Sequence, residues 1–195
     1  MQTTTLSFNN FHVHGALFTN VLRARRQTFI VQNKWDLPEH DGMEFDQYDT
    51  PLSRWIAVHE FGEVLAGIRL TPTTARCGIY TYMIRDAQLG LLESIPSNLL
   101  HDPAPICPHI WESSRVFVSH HLPQKRRTAV QVALMAEMVR TARNEGATQL
   151  IGLCPRAWMR WMRRLGYQTD HIGPCLDIGG SPNQAIRMRL QSNLH

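Results

Sequence analysis

RRQTFIVQNKWDLPEHDGMEFDQYD, residues 25–49, is the stretch on which the interpretation of this chain depends. It brings arginine, aromatic and carboxylate side chains together at the end of a helix predicted for residues 17–32. Val21, Arg25 and Phe29 are spaced at i, i+4 and i+8, so a guanidinium lies in line with apolar anchors on one helix face. Asp36-Leu37-Pro38 turns the chain, and the loop after this turn contains no lysine or arginine and includes Asp41, Glu44, Asp46 and Asp49. Aromatic and arginine side chains beside an acidic loop suit a ligand that carries both charges.

The rest of the chain predicts a mixed α/β fold. Residues 54–59 and 63–70 indicate a β-hairpin, and residues 110–118 indicate a strand rich in β-branched and aromatic side chains. Further elements are predicted as follows: a strand over 5–11, short helix over 86–93, amphipathic helix over 128–143, strand over 148–154, helix over 155–166, and final strands over 167–172 and 183–190. This order predicts a single domain, residues 1–195, folded as a three-layer α-β-α sandwich with a mixed sheet. Residues 75–108 are expected to be the most irregular segment.

The strand over residues 110–118 is predicted to be irregular. Glu112 and Arg115 lie an odd number of positions apart, so they point to opposite faces of a regular strand. A β-bulge between them would bring both side chains to one side.

Composition excludes several classes of protein. The chain has 195 residues, a mass of 22.4 kDa, 43% hydrophobic and 18% charged residues, which is ordinary for a globular domain with its own core. No apolar run is long enough to span a membrane, and the first residues lack the pattern of a signal peptide, so we expect a cytoplasmic protein. The four cysteines and ten histidines show no metal-ligand spacing, which favours reduced thiols and no metal site.

Positive charge is concentrated in two runs, although the net charge is only +4. One run is Lys125, Arg126 and Arg127, and the other is Arg156, Arg160, Arg163 and Arg164. The second run is interleaved with Trp158 and Trp161, as in some surfaces that bind nucleic acid. The same tryptophans with Met162 and Leu165 also form a stripe typical of a buried helix face, and no nucleic-acid-binding motif is present. We therefore expect no nucleic-acid partner.

Eight spaced residues resemble the motif of the acyl-homoserine-lactone synthase (autoinducer synthase) family of quorum-sensing bacteria. They are Arg25, Phe29, Trp35, Asp46, Asp49, Arg69, Glu112 and Arg115. The resemblance covers residues 22–167 and extends to the flanking sequences DGMEFDQYD and RLTPTT. It implies a fold similar to GNAT-type N-acyltransferases, S-adenosylmethionine as a substrate rather than a cofactor, and an acyl carrier protein or acyl-CoA as the acyl donor.

The resemblance also implies roles for these residues. Glu112, through a water shared with Ser114, is the expected base, and backbone N–H groups near Arg115 are the expected oxyanion donors. Phe29, Trp35, Asp46 and Asp49 are expected to bind the cationic groups of S-adenosylmethionine. Its carboxylate is expected to bind Arg25 or Arg69.

Each residue type also has a purely structural interpretation. Phe29 and Trp35 are ordinary core aromatics when taken alone, and Asp46 and Asp49 can stabilise a turn. Glu112 and Arg115 can form a structural ion pair. The functional interpretation is preferred because all eight positions agree in spacing.

The choice of acyl donor depends on a difference from other acyltransferases. GNAT enzymes that bind coenzyme A commonly have a glycine-containing loop after the catalytic strand, whereas residues 124–129 of this chain, QKRRTA, contain no glycine. This favours a carrier-protein donor that docks on the two basic runs, and the alternative is a GNAT-type enzyme that acylates another amine with acyl-CoA. Gly152 lies where family members with 3-oxo products have threonine or serine, so an unsubstituted or 3-hydroxy acyl chain is expected.

Overall fold

The computed structural model describes residues 1–190 and divides the chain into two compact units. Unit 1 contains residues 1–70 and 115–141, and unit 2 contains residues 71–114 and the chain from Ala142 onward. No helix of the described residues is long and apolar enough to cross a membrane. The prediction of a single domain, residues 1–195, concerns the joining of these units and stays a prediction.

Unit 1 contains two α-helices and strands of the main sheet. Its elements are strand β1 (Gln2–Leu6), a 3₁₀ turn (Phe11–His14), helix α1 (Leu17–Arg26), a π-helical turn (Gln27–Gln32), the short strands β2 (Glu39–His40) and β3 (Met43–Glu44), strands β4 (Arg54–Glu60) and β5 (Glu63–Pro72), the second half of β6 (Ile110–Val118), and most of helix α3 (Gln124–Asn144). The strand order is β1-β4-β5-β6, and the pairs β1–β4 and β4–β5 are antiparallel. Buried side chains of α1, Trp55 and Phe117 form its apolar core.

Unit 2 continues from the first half of β6 into a second group of strands. Its elements are helix α2 (Met83–Gln88), strand β7 (Gln149–Pro155), helix α4 (Arg156–Arg164), and strands β8 (Gln168–Ile178) and β9 (Ser181–Arg189). The strand order is β6-β7-β9-β8, in which β6–β7 is parallel and the other pairs are antiparallel. Gly173 of β8 lies against the backbone of Leu99, where a Cβ would be only 1.8 Å from the carbonyl oxygen. The segment before β6 therefore packs closely against the backbone of β8.

Most predicted elements are present, and two predictions were wrong. The helix over 17–32, the hairpin and the strand over 110–118 are confirmed. The strand predicted over 5–11 ends at Leu6, because the chain turns there and Asn10 binds the backbone of Ser7 and Thr5. The helix predicted over 86–93 is α2, which begins earlier and ends at Gln88 before Gly90, whose φ is +76°.

The predicted buried stripe of α4 is also partly wrong. Met159 and Met162 are buried, Trp158 and Trp161 are half-buried, and Leu165 is exposed. Leu165 follows the last helical residue, so it does not continue the buried face.

Candidate functional site

Three arginines and three carboxylates form a closed ring in unit 1. We call this set the arginine–carboxylate ring: Arg25, Arg69, Arg115, Glu44, Asp46 and Asp49. Each arginine contacts two of the carboxylates, and each carboxylate contacts two of the arginines, so charges alternate around the ring and cancel. Five of the six are motif residues assigned from the sequence, and Glu44 is the sixth member.

The local structure of each element directs these side chains to one place. Arg25 lies on the buried face of α1, and Glu44 ends the small hairpin of β2 and β3. Arg69 lies on β5 opposite Trp55 of β4. The acidic loop is folded on itself, because the Asp46 carboxylate accepts the N–H of Tyr48 at 2.9 Å and the Asp49 carboxylate accepts the N–H of Asp46 at 2.8 Å.

The ring is held by short, charge-assisted hydrogen bonds. Arg25 donates Nε to Glu44 at 2.6 Å and both terminal nitrogens to Asp49 at 2.7 and 2.9 Å. Arg69 donates Nη1 to Asp46 at 2.5 Å and contacts Asp49 at 3.0 Å. Arg115 closes the ring, with Nε 3.1 Å from Glu44 and Nη2 2.8 Å from Asp46. Such bonds fix both distance and orientation.

Burial makes the ring sensitive to the loss of any charge. Arg25 and Arg69 are each 1% exposed and Glu44 is fully buried. Burial alone would raise the pKa of the Asp49 carboxyl, but the charges of Arg69 and Arg25 outweigh it and hold that pKa well below its usual range. The pKa of Asp46 is lowered in the same way, against burial, by Arg69 and Arg115. Both carboxyls are therefore ionised at neutral pH.

Arg115 has a strained backbone within β6, as expected from the predicted irregularity of this strand. Its φ is +54°, a left-handed value that a side chain with a Cβ rarely adopts. The ion pairs to Glu44 and Asp46, and a contact 5.6 Å above the ring of Phe29, hold the side chain in place. A residue in this conformation costs about 1–3 kcal/mol and persists only where its surroundings impose it.

The two motif aromatics are stacked but differ in exposure. The rings of Phe29 and Trp35 are nearly parallel, with centroids 5.1 Å apart. Phe29 is 3% exposed and also packs edge-on against Phe117, whereas Trp35 is 45% exposed. The structural interpretation as a core aromatic therefore fits Phe29, and Trp35 presents open aromatic surface.

In unit 2, Glu112 is bound to the beginning of α2. Its two carboxylate oxygens accept the backbone N–H groups of Ile84 at 2.7 Å and Met83 at 3.2 Å. Glu112 is fully buried and the adjacent Ser114 is nearly so. Burial, followed by the charge of Glu112, raises the pKa of Tyr82 above its usual range. The carboxylate is thus held in a fixed orientation by donors that match its charged form.

Gly152 of β7 lies beside Ser113 of β6 at the last pair of their parallel ladder. A Cβ on Gly152 would be 2.6 Å from the Ser113 hydroxyl oxygen, so this position has no room for a side chain while Ser113 keeps its place. The hydroxyl itself donates to the Ile151 carbonyl at 3.3 Å. The glycine is therefore explained by packing against Ser113.

The basic residues predicted for donor docking lie on the surfaces of both units. In unit 1, Lys125 and Arg126 are exposed, and Arg127 is half-buried and donates to the His120 carbonyl. In unit 2, Arg156, Arg160, Arg163 and Arg164 are exposed. Arg163 donates to the Thr169 carbonyl at 2.8 Å. The other three arginines form an exposed basic stripe along α4.

The structure thus brings together five of the assigned residues and adds two that were not assigned. Glu44 belongs to the acidic loop, and the Trp55 Nε1–H donates to the Asp49 carboxylate at 2.7 Å. The available signal for Glu44 was its spacing of two from Asp46, which places both on one side of an extended segment. No group of three or more metal-binding side chains occurs within residues 1–190.

Comparison with known proteins points to one enzyme family. A family model described as autoinducer synthase matches residues 9–193. A protein of Ralstonia nicotianae named acyl-homoserine-lactone synthase is 32% identical over 163 residues, which cover 81% of this chain and 74% of that protein. The crystal structure of TofI, solved with an inhibitor and MTA, is 29% identical and has a TM-score of 0.76, covering 98% of this chain and 92% of TofI.

A further solved structure shares the fold. BjaI, described as a CoA-dependent acyl-homoserine lactone synthase with SAM and isopentyl-CoA, is 22% identical and has a TM-score of 0.75 over 96% of this chain and 82% of its own. Together these structures confirm the predicted mixed α/β fold of the GNAT-like kind.

Proposed function

Because the chain belongs to the autoinducer synthase family and is an acyltransferase, we propose that it makes an acyl homoserine lactone from S-adenosylmethionine and an acyl carrier protein. The arginine–carboxylate ring carries this proposal. It is built from five of the eight motif positions, and its three cations are matched by three anions, with no side chain of the ring more than 12% exposed. A buried ring of this kind is not needed to stabilise a domain, because apolar residues of similar volume do so equally well.

The proposed reaction has two steps. The amine of S-adenosylmethionine loses a proton to a base and attacks the thioester carbonyl, so that a C–N bond forms and the carrier thiol leaves. The methionyl carboxylate then attacks the carbon attached to the sulfonium. The C–S bond breaks, its electron pair remains on sulfur, and methylthioadenosine and the lactone are released.

Glu112 is the base in this proposal. The N–H groups of Met83 and Ile84 hold its carboxylate still and stabilise its charged form, which is the form that accepts a proton. Ser114 holds the water through which the proton passes. Backbone N–H groups next to Arg115, where β6 is irregular, are the proposed oxyanion donors.

The geometry suggests which group of S-adenosylmethionine each of the remaining motif residues binds. Trp35 offers the exposed aromatic face that a sulfonium would contact. The predicted contact between the substrate carboxylate and Arg25 or Arg69 stays a prediction, and the burial of both arginines favours an indirect role. In that role they hold Asp46 and Asp49 at fixed positions for the substrate ammonium.

A carrier protein is the proposed donor because the surface around residues 124–129 offers basic side chains but no glycine that would let a pyrophosphate approach the backbone. Lys125 and Arg126 are exposed there, and carrier proteins are acidic. Gly152 lacks the hydroxyl that family members with 3-oxo products have at this place, and its packing against Ser113 leaves no room for one, which supports a preference for unsubstituted or 3-hydroxy acyl chains.

The test of this mechanism is the substitution Glu112→Gln, with Glu137→Gln as the matched control. Glu137 is also buried, but it binds Thr3, Thr5 and Arg140 and has no assigned chemistry. We expect Glu112→Gln to lower kcat for lactone formation by roughly 10²–10⁴, with an unchanged circular dichroism spectrum, and Glu137→Gln to leave kcat near wild type. More than a tenth of wild-type kcat in Glu112→Gln would remove Glu112 from the mechanism.

A further inference from the structure

The tip of the β4–β5 hairpin breaks two local rules at one residue. Phe61 and Gly62 both have positive φ, +50° and +85°, as in the mirror-image turns that suit tight hairpins. The first of these positions favours asparagine or glycine, because a Cβ makes the left-handed conformation unfavourable. Phe61 is also the most exposed of the large apolar side chains described, with its ring entirely in solvent. A residue that breaks such rules without a stabilising contact indicates a function.

The hairpin tip that carries the exposed Phe61 ring is held in place by contacts with two helices. Asn20 of α1 donates its side-chain N–H to the Gly62 carbonyl at 3.1 Å, and Glu60 forms an ion pair with Arg126 of α3. Beside the ring is an open hollow of about 480 Å³, lined in part by Leu17 and Asn20. A rigid aromatic next to a hollow is typical of the centre of a protein interface.

The charge around this tip favours an acidic partner. The first turn of α3 carries Lys125, Arg126 and Arg127 without an acidic residue, although cations are unfavourable at the positive end of a helix dipole. These three cations outnumber the two carboxylates of the hairpin tip, Glu60, which pairs with Arg126, and Glu63. A second copy of the chain fits poorly, because the net charge is +4 and the acidic loop directs Glu44, Asp46 and Asp49 into the buried ring. Like charges facing one another would oppose self-association.

The same surface lies at the end of the strand that carries Arg115. The N–H of Ser119, the first residue after β6, donates to the Leu65 carbonyl of β5 at 2.8 Å. Residues 119–123 then lead directly into α3. Val118 is three residues beyond Arg115, or about 10 Å along a strand, so a partner seated here could pass a flexible arm along β6.

We propose that Phe61 and the first turn of α3 form the docking surface for the acidic carrier protein that delivers the acyl group. The inference rests on the proposed function and identifies the part of the surface that receives the donor. Phe61 provides the apolar anchor, and Lys125 with its neighbours provides attraction that depends on salt.

The test compares the full chain with the variant Phe61→Asn, which suits a positive φ and preserves the turn. Binding of a fluorescently labelled, acyl-loaded carrier protein is measured by anisotropy, and lactone formation is measured with carrier-bound and CoA-bound acyl groups. Leu52→Asn, at another exposed apolar residue, and Arg140→Gln, at another exposed arginine of α3, are the controls. Lys125→Glu tests the charge.

We expect Phe61→Asn to weaken carrier binding at least tenfold and to raise KM for the carrier-bound donor by a similar factor. Its kcat, its KM for S-adenosylmethionine and its use of acyl-CoA should not change. Lys125→Glu should weaken binding and reduce its salt dependence, and both controls should behave as wild type. Equal carrier binding by Phe61→Asn and wild type would overturn the inference.

The two proposals fail separately. Lactone formation from acyl-CoA by a wild-type protein that does not bind the carrier would overturn the docking surface and the carrier-protein donor, and would leave lactone synthesis from S-adenosylmethionine standing. Carrier binding that depends on Phe61, without lactone from any donor, would support the docking surface and overturn the function. Absence of both binding and product would overturn both.

Discussion

Asp49→Asn removes one charge from a ring that the structure shows to be closed and neutral. The Asp49 carboxylate accepts bonds from Arg25, Arg69, Trp55 and the backbone of Asp46, at 2.7 to 3.0 Å. Asparagine supplies one acceptor oxygen instead of two and leaves three guanidiniums, of which those of Arg25 and Arg69 are buried, facing two carboxylates. Breaking a buried pair in this way costs about 3–5 kcal/mol.

The expected loss of unfolding free energy is large enough to measure both by thermal unfolding and by urea unfolding. For a chain of this length 1 kcal/mol corresponds to about 2–4 °C, so Tm should fall by roughly 10 °C and the urea midpoint should fall with it. The matched control is Asp170→Asn, because Asp170 pairs with Arg187 and Arg189 at the surface and is worth at most about 1 kcal/mol. The double variant Asp49→Asn, Arg25→Met restores the balance of charge and should recover part of the loss.

The pH dependence gives an independent check on the same carboxyl. Since the folded-state pKa of Asp49 is depressed, its stabilising effect is fully present above its unfolded value, near 3.9, and is lost as pH falls through the lower folded value. The difference in unfolding free energy between wild type and Asp49→Asn should therefore be greatest above about pH 5 and shrink below about pH 4. A constant difference at all pH values, or a loss under about 1 kcal/mol at pH 7, would refute the argument from buried charge.

Two further predictions concern the stacked aromatics and the glycine of β7. Trp35→Ala should raise KM for S-adenosylmethionine with little change in Tm, whereas Phe29→Ala should cost about 3–5 kcal/mol of stability because it empties a buried site; equal Tm changes in calorimetry would contradict this division. Gly152→Ala should lower stability and Ser113→Gly should restore it in the double variant, since the new Cβ meets the Ser113 hydroxyl; an additive loss in urea unfolding would contradict the predicted clash.

Much of unit 1 could be predicted because its local signals agree. The spacing of Val21, Arg25 and Phe29 predicts one buried helix face, and all three are buried in the structure, Val21 and Arg25 in α1 and Phe29 in the π-helical turn after it. Gly62 marks the hairpin for a conformational reason that the structure confirms with a φ of +85°. In both places the fold depends on contacts between neighbours in the sequence, which periodicity and turn chemistry report directly.

The partners of the charged residues could not be predicted from spacing. An ion pair between Glu112 and Arg115 is the structural alternative that the sequence leaves open for these residues. In the described contacts Glu112 binds the beginning of α2, and Arg115 binds Glu44 and Asp46. Glu44 and Arg115 are 71 positions apart, so their contact is set by tertiary packing. The strand expected over 5–11 failed for a related reason, since Asn10 ends it with side-chain bonds to a turn.

The most direct measurement is the product ratio formed by the purified protein from S-adenosylmethionine and acyl-loaded carrier protein. Mass spectrometry and chromatography would quantify the acyl homoserine lactone and methylthioadenosine in the same reaction. The proposed chemistry predicts the two in equal amounts, and predicts that Glu112→Gln lowers the rate of formation of both by the same factor of roughly 10²–10⁴. An amide that retains the methylthioadenosine group, or no product from either carrier-bound or CoA-bound acyl groups, would contradict the central claim.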